Sequence, residues 1–520
     1  MKRRNFLQTA AALTIPTFMP LPGMKASSSR FTSLINSDSD RVLVIVHLFG
    51  GNDGLNTVIP LDQYDGITAV RPRLYLKADL THKITDTVAL HPSMQGMSNM
   101  FKDGRLKIIQ SAGYPNQNRS HFRSTDIWTS ASKSDEFLNT GWVGRYLDSQ
   151  LPGYPAGYPN QTQPHPPAIS IGNVAHPTCE GVKINFSQTV NDPLNTTELS
   201  GAMADMYSGD RYGGELKFIQ TTMQQTNDYN NVIKEAAAKG KNAVPYPGNS
   251  NPLAVQLQKV ARMISGGLKT KVYTVYLGGF DLHAKQVEAN TTIGAHADLL
   301  RQVSEAIDVF QRDMVAQNQD DRVMGMTFSE FGRRIRPNAS FGTDHGTAGP
   351  MFLFGSCVNG GILGDNVEVD KDVSQGEGVP MQFDFRDVYG SILVDWFDVP
   401  ALSVKNMLHQ DFKYLPLAGK CNEAVSDGTD STSEGWTFGE PYPNPARKEV
   451  YLNIGSPANN RLRYSLFDGR GRLVLANEIA VNDKSDYLLF SRPSRLSSGT
   501  YSLRLATETG GTISRKVVFE

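Results

Sequence analysis

Residues 321–350, DRVMGMTFSEFGRRIRPNASFGTDHGTAGP, decide the fold. Their opening apolar run, Val323 to Phe328, has the length of a buried strand. It ends on Ser329-Glu330-Phe331-Gly332, which puts a carboxylate where the strand hands over to a loop. Arg333 and Arg334 follow, and a turn-rich stretch then delivers Gly342-Thr343-Asp344-His345-Gly346. Acid, guanidinium and imidazole thus gather at the carboxyl end of a strand, the edge where open α/β sheets bind ligands. The same residues also suit a helix cap and a plain turn, so the rest of the chain has to decide between the two uses.

Working outward, residues 41–49 (RVLVIVHLF) form a Val- and Ile-rich run of the kind found in strands covered on both faces. The run ends in Gly50-Gly51-Asn52-Asp53-Gly54, where glycine permits a sharp turn and a close approach of backbone. A second strand, 106–111, leads into a polar stretch, 113–124, that holds Asn118-Arg119-Ser120-His121 and Arg123. Residues 126–129 lie in a helix or loop beyond it. Residues 151–167, rich in Pro, Gly, Tyr and Gln, read as a surface loop. Residues 199–241 and 253–264 read as helices, and 271–277 as a strand ending in Gly278-Gly279-Phe280-Asp281-Leu282-His283. A helix over 293–315 leads into the strand at Val323, and an apolar helix over 385–397 closes the region near residue 417. Strands alternating with helices predict a layered α/β domain with a mainly parallel sheet.

The chain of 520 residues suggests about two to four domains. A formal net charge of -1 favours neither nucleic acid nor an anionic membrane as partner. Cys179, Cys357 and Cys421 lack a CxxC pair, so a zinc–thiolate site is not expected and at most one disulfide can form. Residues 1–30 read as an export signal: a basic start, Lys2-Arg3-Arg4, then an apolar stretch too short to span a bilayer. A twin-arginine signal and an ordinary secretory signal that carries two arginines both fit it. No other run is long enough for a transmembrane span. Residues 31–420 form the α/β domain in this reading, and 421–435, rich in Asp, Ser, Thr and Gly, a linker. Residues 436–520 carry short alternating segments split by turns, as in a small immunoglobulin-like β-sandwich.

Six motifs taken in order resemble the domain of unknown function 1501 family: the 50–56 loop, Tyr114-Pro115-Asn116, residues 118–124, residues 278–283, residues 329–333 and residues 343–347. The resemblance covers 41–417 and implies an alkaline-phosphatase-like or sulfatase-like fold. That superfamily implies divalent metal, a nucleophile at a helix start and cationic groups around an ester. Carried over residue by residue, Asp53, Asp281, His283, Glu330, Asp344 and His345 would hold metal, and Ser120 would be the nucleophile. Arg119, Arg123 and Arg333 would grip the substrate's oxygens bidentately. The metal could be zinc, manganese, calcium or magnesium, and the substrate a small-molecule or glycan ester of phosphate or sulfate. Phe331 departs from the pattern, standing where the superfamily has a metal-binding histidine. That departure implies one metal, an altered pair, or a non-catalytic binding or assembly protein on the same scaffold. His121 reads as a hydrogen-bonded structural histidine. The C-terminal residues Pro441-Tyr442-Pro443-Asn444-Pro445, Leu496-Ser497-Ser498-Gly499-Thr500-Tyr501 and Lys516-Val517-Val518-Phe519 resemble the type A sorting domain of the type nine secretion system. It implies export across the outer membrane by that machinery, to the cell surface or beyond.

Overall fold

The computed structural model describes residues 40–520, apart from 202–207, 420–435, 440, 442–443, 447–448, 456–459, 469–471, 482–484, 494–495 and 508–511. The export signal and the linker read from the sequence therefore lie outside the described residues, as does Cys421.

Nine strands build the main sheet: β1 (Val42–Phe49), β2 (Leu106–Gly113), β3 (Ala168–Ile171), β4 (Ser187–Val190), β5 (Val272–Gly278), β6 (Val323–Phe328), β7 (Gly349–Phe354), β8 (Gly361–Leu363) and β9 (Phe383–Asp384). The order is β8-β2-β7-β6-β1-β5-β3-β4, with β9 also paired to β2. Strands β6, β1, β5, β3 and β4 run parallel, and β7 alone runs against its neighbours β2 and β6. The central position of β1 explains its uninterrupted Val and Ile content, because side chains on both of its faces are buried.

Helices cover the two faces. On one lie α1 (Gln95–Lys102), α5 (Pro252–Ser265) and α6 (Ala295–Ala316); on the other lie α2 (His121–Ser130), α3 (Trp142–Gln150) and α7 (Phe385–Phe397), while α4 (Arg211–Lys239) runs before α5. Val44, Val46 and Leu48 of β1 pack with Met97, Leu257 and Ile307 on the first face. Leu43 and Ile45 pack with Trp128, Trp142 and Ile392 on the second. Helix α5 starts with Pro252 after Asn251, whose side chain accepts the Ala254 N–H at 3.1 Å. Cys357 is disulfide-bonded, and Cys179 is a buried free thiol. No helix among the described residues is long and apolar enough to cross a membrane.

The C-terminal strands are β10 (Thr437–Phe438), β11 (Glu449–Gly455), β12 (Asn460–Phe467), β13 (Leu473–Val481), β14 (Ser485–Ser491), β15 (Gly499–Thr507) and β16 (Thr512–Phe519). They form two antiparallel sheets, β10-β11-β14 and β13-β12-β15-β16. Trp436, Val450, Leu466, Leu503 and Val517 share one core, so this is a small β-sandwich.

Candidate metal centre

The carboxyl ends of β1, β5 and β6 and the start of α2 meet at one place. Glycine makes this meeting possible. Gly50 has φ +123°, and a Cβ there would lie 2.4 Å from the Asp281 nitrogen; at Gly51, with φ +83°, it would lie 2.3 Å from the Phe331 ring. Asp281, His283, His345 and His121 converge above this floor.

Asp281 holds the group together. Its Oδ1 lies 3.1 Å from His345 Nε2, 3.1 Å from His283 Nε2 and 2.7 Å from Arg333 Nη2, and its Oδ2 lies 3.3 Å from His121 Nε2. Ligand atoms of His121, Asp281 and His345 all fall within 4.8 Å of one another. Burial opposes charge on Asp281, but the Arg333 guanidinium and the surrounding imidazoles prevail and hold its carboxyl down to about 2.

Each imidazole is oriented through its other nitrogen. His121 Nδ1 donates to Glu330 Oε1 at 2.7 Å, His283 Nδ1 to Asp344 Oδ1 at 3.0 Å, and His345 Nδ1 to the Arg119 carbonyl at 2.7 Å. A carbonyl or carboxylate oxygen can only accept, so in the neutral ring the proton sits on Nδ1 and the Nε2 lone pair faces inward. His283 Nε2 and His345 Nε2 are then 2.9 Å apart. Two lone pairs that close repel each other unless a proton or a cation lies with them. Three imidazole nitrogens and a carboxylate, each with an oriented outer partner, is the donor set of a metal site. Burial lowers the His345 pKa, against the Arg119 carbonyl and the Asp281 carboxylate, and so favours the neutral ring that a metal needs.

Glu330 is fully buried, accepts the Gly50 N–H at 2.9 and 3.1 Å, and supports His121 from behind. Its burial favours the neutral acid, yet the nearby His47 imidazole and the hydrogen bond from His121 leave its pKa below the ordinary value. Asp344 likewise stands behind His283 and takes Asn338 Nδ2 at 3.1 Å and Arg334 Nη1 at 3.4 Å. Glu330 and Asp344, expected among the ligands, each face the Nδ1 of a neighbouring imidazole, His121 and His283. The His121 ring lies 4.9 Å from the buried Phe331 ring.

Asp53, also expected to hold metal, is ion-paired in the structure. Its carboxylate is turned to the fully buried Arg71, at 2.8 and 3.0 Å, and to Gln286 Nε2 at 2.6 Å. Burial raises its pKa and the Arg71 charge more than reverses that. The Arg71 guanidinium is thus the cation beside this carboxylate. The arginines are also committed. Arg333, 2 % exposed, donates to the carbonyls of Gly50, Gly51, Phe280 and Thr343 as well as to Asp281. Arg123 is bound to Asp126 and to the carbonyls of Lys133, Ser134 and Glu136, with its guanidinium 3.9 Å over Phe137. Arg119 donates to the Gly376 carbonyl at 2.9 Å. Ser120 is the exposed N-cap of α2, next to His121, and makes no side-chain capping bond.

Sequence reading took His121 as a structural histidine and did not single out Arg71. The signal for His121 was its place in the Asn118-Arg119-Ser120-His121 run after β2; nothing marked Arg71 in the sequence.

Comparison with known proteins agrees with part of this. Residues 212–391 match the model described as Protein of unknown function (DUF1501), and residues 440–520 match Secretion system C-terminal sorting domain. The first match is narrower than 41–417; it holds Asp281, His283, Glu330, Arg333, Asp344 and His345 and leaves out Asp53 and Ser120. No curated protein matches. Among solved structures, latent PorU from Porphyromonas gingivalis is 18% identical over 16% of this chain and 9% of that chain, with a TM-score of 0.15. A proposed sulfatase, yidJ from Bacteroides fragilis, is 9% identical over 88% of this chain and 91% of its own, with a TM-score of 0.29. A Bacteroides thetaiotaomicron protein of glycosaminoglycan metabolism is 8% identical over 84% and 89%, with a TM-score of 0.32. The sorting domain indicates export to a surface or extracellular location and engagement with secretion machinery. The chain thus joins a region matching the DUF1501 family, in a layered α/β fold with a mainly parallel sheet, to a C-terminal secretion sorting domain.

Proposed function

We propose that the protein is an exported hydrolase of phosphate or sulfate esters that uses one divalent metal. The observation that carries this reading is the convergence of His121, His283 and His345 Nε2 on Asp281, each ring oriented through Nδ1. Three nitrogens to one carboxylate favour zinc or another imidazole-binding metal over calcium or magnesium. When bound, such an ion polarises an ester oxygen and lowers the pKa of a nearby nucleophile. Ser120 is the candidate nucleophile, at the start of a ten-residue helix whose N-terminus favours developing negative charge. Asp281 would balance the cation, and Glu330, Asp344 and the Arg119 carbonyl would keep the rings from rotating. The sorting domain would direct the chain through the type nine route, by way of the periplasm.

A second reading, a metal-binding surface protein without catalysis, draws on the committed arginines. Arg119, Arg123 and Arg333 spend their donors on backbone, which leaves fewer cations for an anionic ester. One experiment separates the two. Metal content of the purified protein is measured beside turnover of aryl phosphates and aryl sulfates, for wild type, Ser120→Ala and His345→Ala. The hydrolase reading expects about one metal per chain, activity lost in both variants, and metal retained in Ser120→Ala. Metal without turnover on any ester leaves the second reading; absence of metal from wild type defeats both.

A further inference from the structure

Behind Glu330 lies a row of imidazoles that the candidate chemistry does not use. His47 is on β1, 6 % exposed, with its ring stacked on Phe328 at 4.3 Å. His176 follows β3 in the loop that enters a short 3-10 turn, Pro177–Cys179. The Thr178 N–H donates to His176 Nδ1 at 3.2 Å. That nitrogen is therefore an acceptor, and the His176 proton sits on Nε2. His176 Nε2 faces His47 Nδ1 at 3.4 Å, so His47 in turn carries its proton on Nε2. His47 Nε2 is buried, has no hydrogen-bond partner within bonding distance, and faces Glu330 Oε2 at 3.7 Å. On the other side, His121 donates Nδ1–H to Glu330 Oε1 at 2.7 Å.

The donors run in one direction, from the Thr178 backbone through His176 and His47 to Glu330, and meet the His121 donor there. The Gly50 N–H lies across both oxygens, the Ser329 hydroxyl is 3.4 Å from Oε2, and the His47 N–H faces Oε2 across 3.7 Å, beyond hydrogen-bond length but close enough to favour this rotamer of the carboxylate electrostatically. In that rotamer, Oε1 receives the His121 proton and His121 Nε2 faces Asp281. We propose that His47, itself oriented by His176, is a positioning residue for the metal centre: it holds Glu330 so that Glu330 fixes the ring and tautomer of His121. This rests on the metal reading above. His47 touches neither ion nor substrate in this scheme; it acts through Glu330 and His121. Partners at this remove set ligand orientation, and their loss costs about 10–100-fold in metal affinity.

The test is zinc affinity of the full-length protein, measured by competition with a chelator, for wild type, His47→Phe, His47→Gln, His176→Phe and His345→Ala. His47→Phe keeps a ring on Phe328 and removes the N–H; affinity should fall about tenfold or more. In His47→Gln the side-chain amide reaches the position of Nε2 and restores a donor, so affinity should stay within about threefold of wild type. His176→Phe leaves His47 without its guide and should weaken zinc by about threefold or more, which keeps the test open should His47→Phe not fold. Unchanged affinity in His47→Phe or in His176→Phe overturns the proposal, as does a loss in His47→Gln equal to that in His47→Phe. In that event a large loss in His345→Ala would leave the metal centre standing. Wild type that binds no zinc overturns the metal reading and this inference together.

Discussion

Arg333 is the side chain whose role shifts most once its surroundings are known. In the sequence it stands beside Glu330 as a ready clamp for an oxyanion. In the fold it is buried and ties the loops after β1, β5 and β6 together through four carbonyls and Asp281. Lysine has neither the fork geometry nor the number of donors to replace it. Arg333→Lys should therefore destabilise the protein by about 3 kcal/mol or more, because buried acceptors and part of the Asp281 charge lose their partner. Urea unfolding would measure this. A shift below about 1 kcal/mol with activity abolished would return Arg333 to the oxyanion role. The same contrast explains which site residues were legible. Asp281, His283 and His345 could be read because short motifs at strand ends carry them. His121 could not, because its meaning depends on Glu330, 209 residues away in the chain. Arg71 lies in no motif at all, yet it decides that Asp53 is a paired carboxylate.

Helix α2 matters most at the next scale, since it carries both Ser120 and His121 to the centre. Its first turn faces the site, and its last two turns are anchored by Ile127 and Trp128. Trp128 stacks on Phe385 at 4.2 Å with 20° between planes, and Trp142 stacks on Tyr389 at 4.5 Å. These four rings bind α2 and α3 to α7. Trp128→Ala should cost about 3–5 kcal/mol and, by loosening α2, should also weaken metal binding. Thermal unfolding and chelator competition would report the two effects; unchanged metal affinity in a folded variant would show that the α2 start is held independently of its packing. Long apolar elements were the readable ones: β1, β6 and α7 lie where their runs of Val, Ile and Phe place them. Strands β3 and β4 went unread because four residues each give too little pattern. The reversed direction of β7 left no trace in the sequence, since direction follows from the loop path and not from composition. In the sandwich, turn residues set off six of the seven strands, while the two residues of β10 give no pattern.

For the whole chain, the sorting tail and the buried imidazoles give separate expectations. Deleting residues 436–520 should leave the α/β region inside the outer membrane, and cell fractionation would show it; normal release without the tail would contradict its sorting role. The pH dependence of stability follows chiefly from groups distant from the metal ligands. Burial, with imidazoles alongside, pushes His91 and His176 down to about 3, and burial pushes His296 down to about 4 despite Asp53. Free histidine titrates near about 6.5, so between that pH and about 4 the unfolded chain binds a proton at each of these sites that the folded chain refuses. Their effect is a loss of stability as pH falls through this window, about 1.4 kcal/mol per pH unit for each proton. Asp395 has the opposite sign. Burial, against hydrogen bonds from Tyr414 and Ala418, lifts it to about 7, so the folded chain keeps a proton there that the unfolded chain releases down to about pH 4. At pH 5 these four groups give a net uptake of about two protons on unfolding, about three on the imidazoles less about one from Asp395, and His165 and His345, which burial also lowers, add with the same sign. Urea unfolding between pH 4.5 and 6 should show stability falling by at least about 2.7 kcal/mol per pH unit near pH 5. Replacing Asp395 by Asn removes the released proton and should steepen that slope by about half. A slope near zero in wild type would mean that these imidazoles reach solvent in the native state.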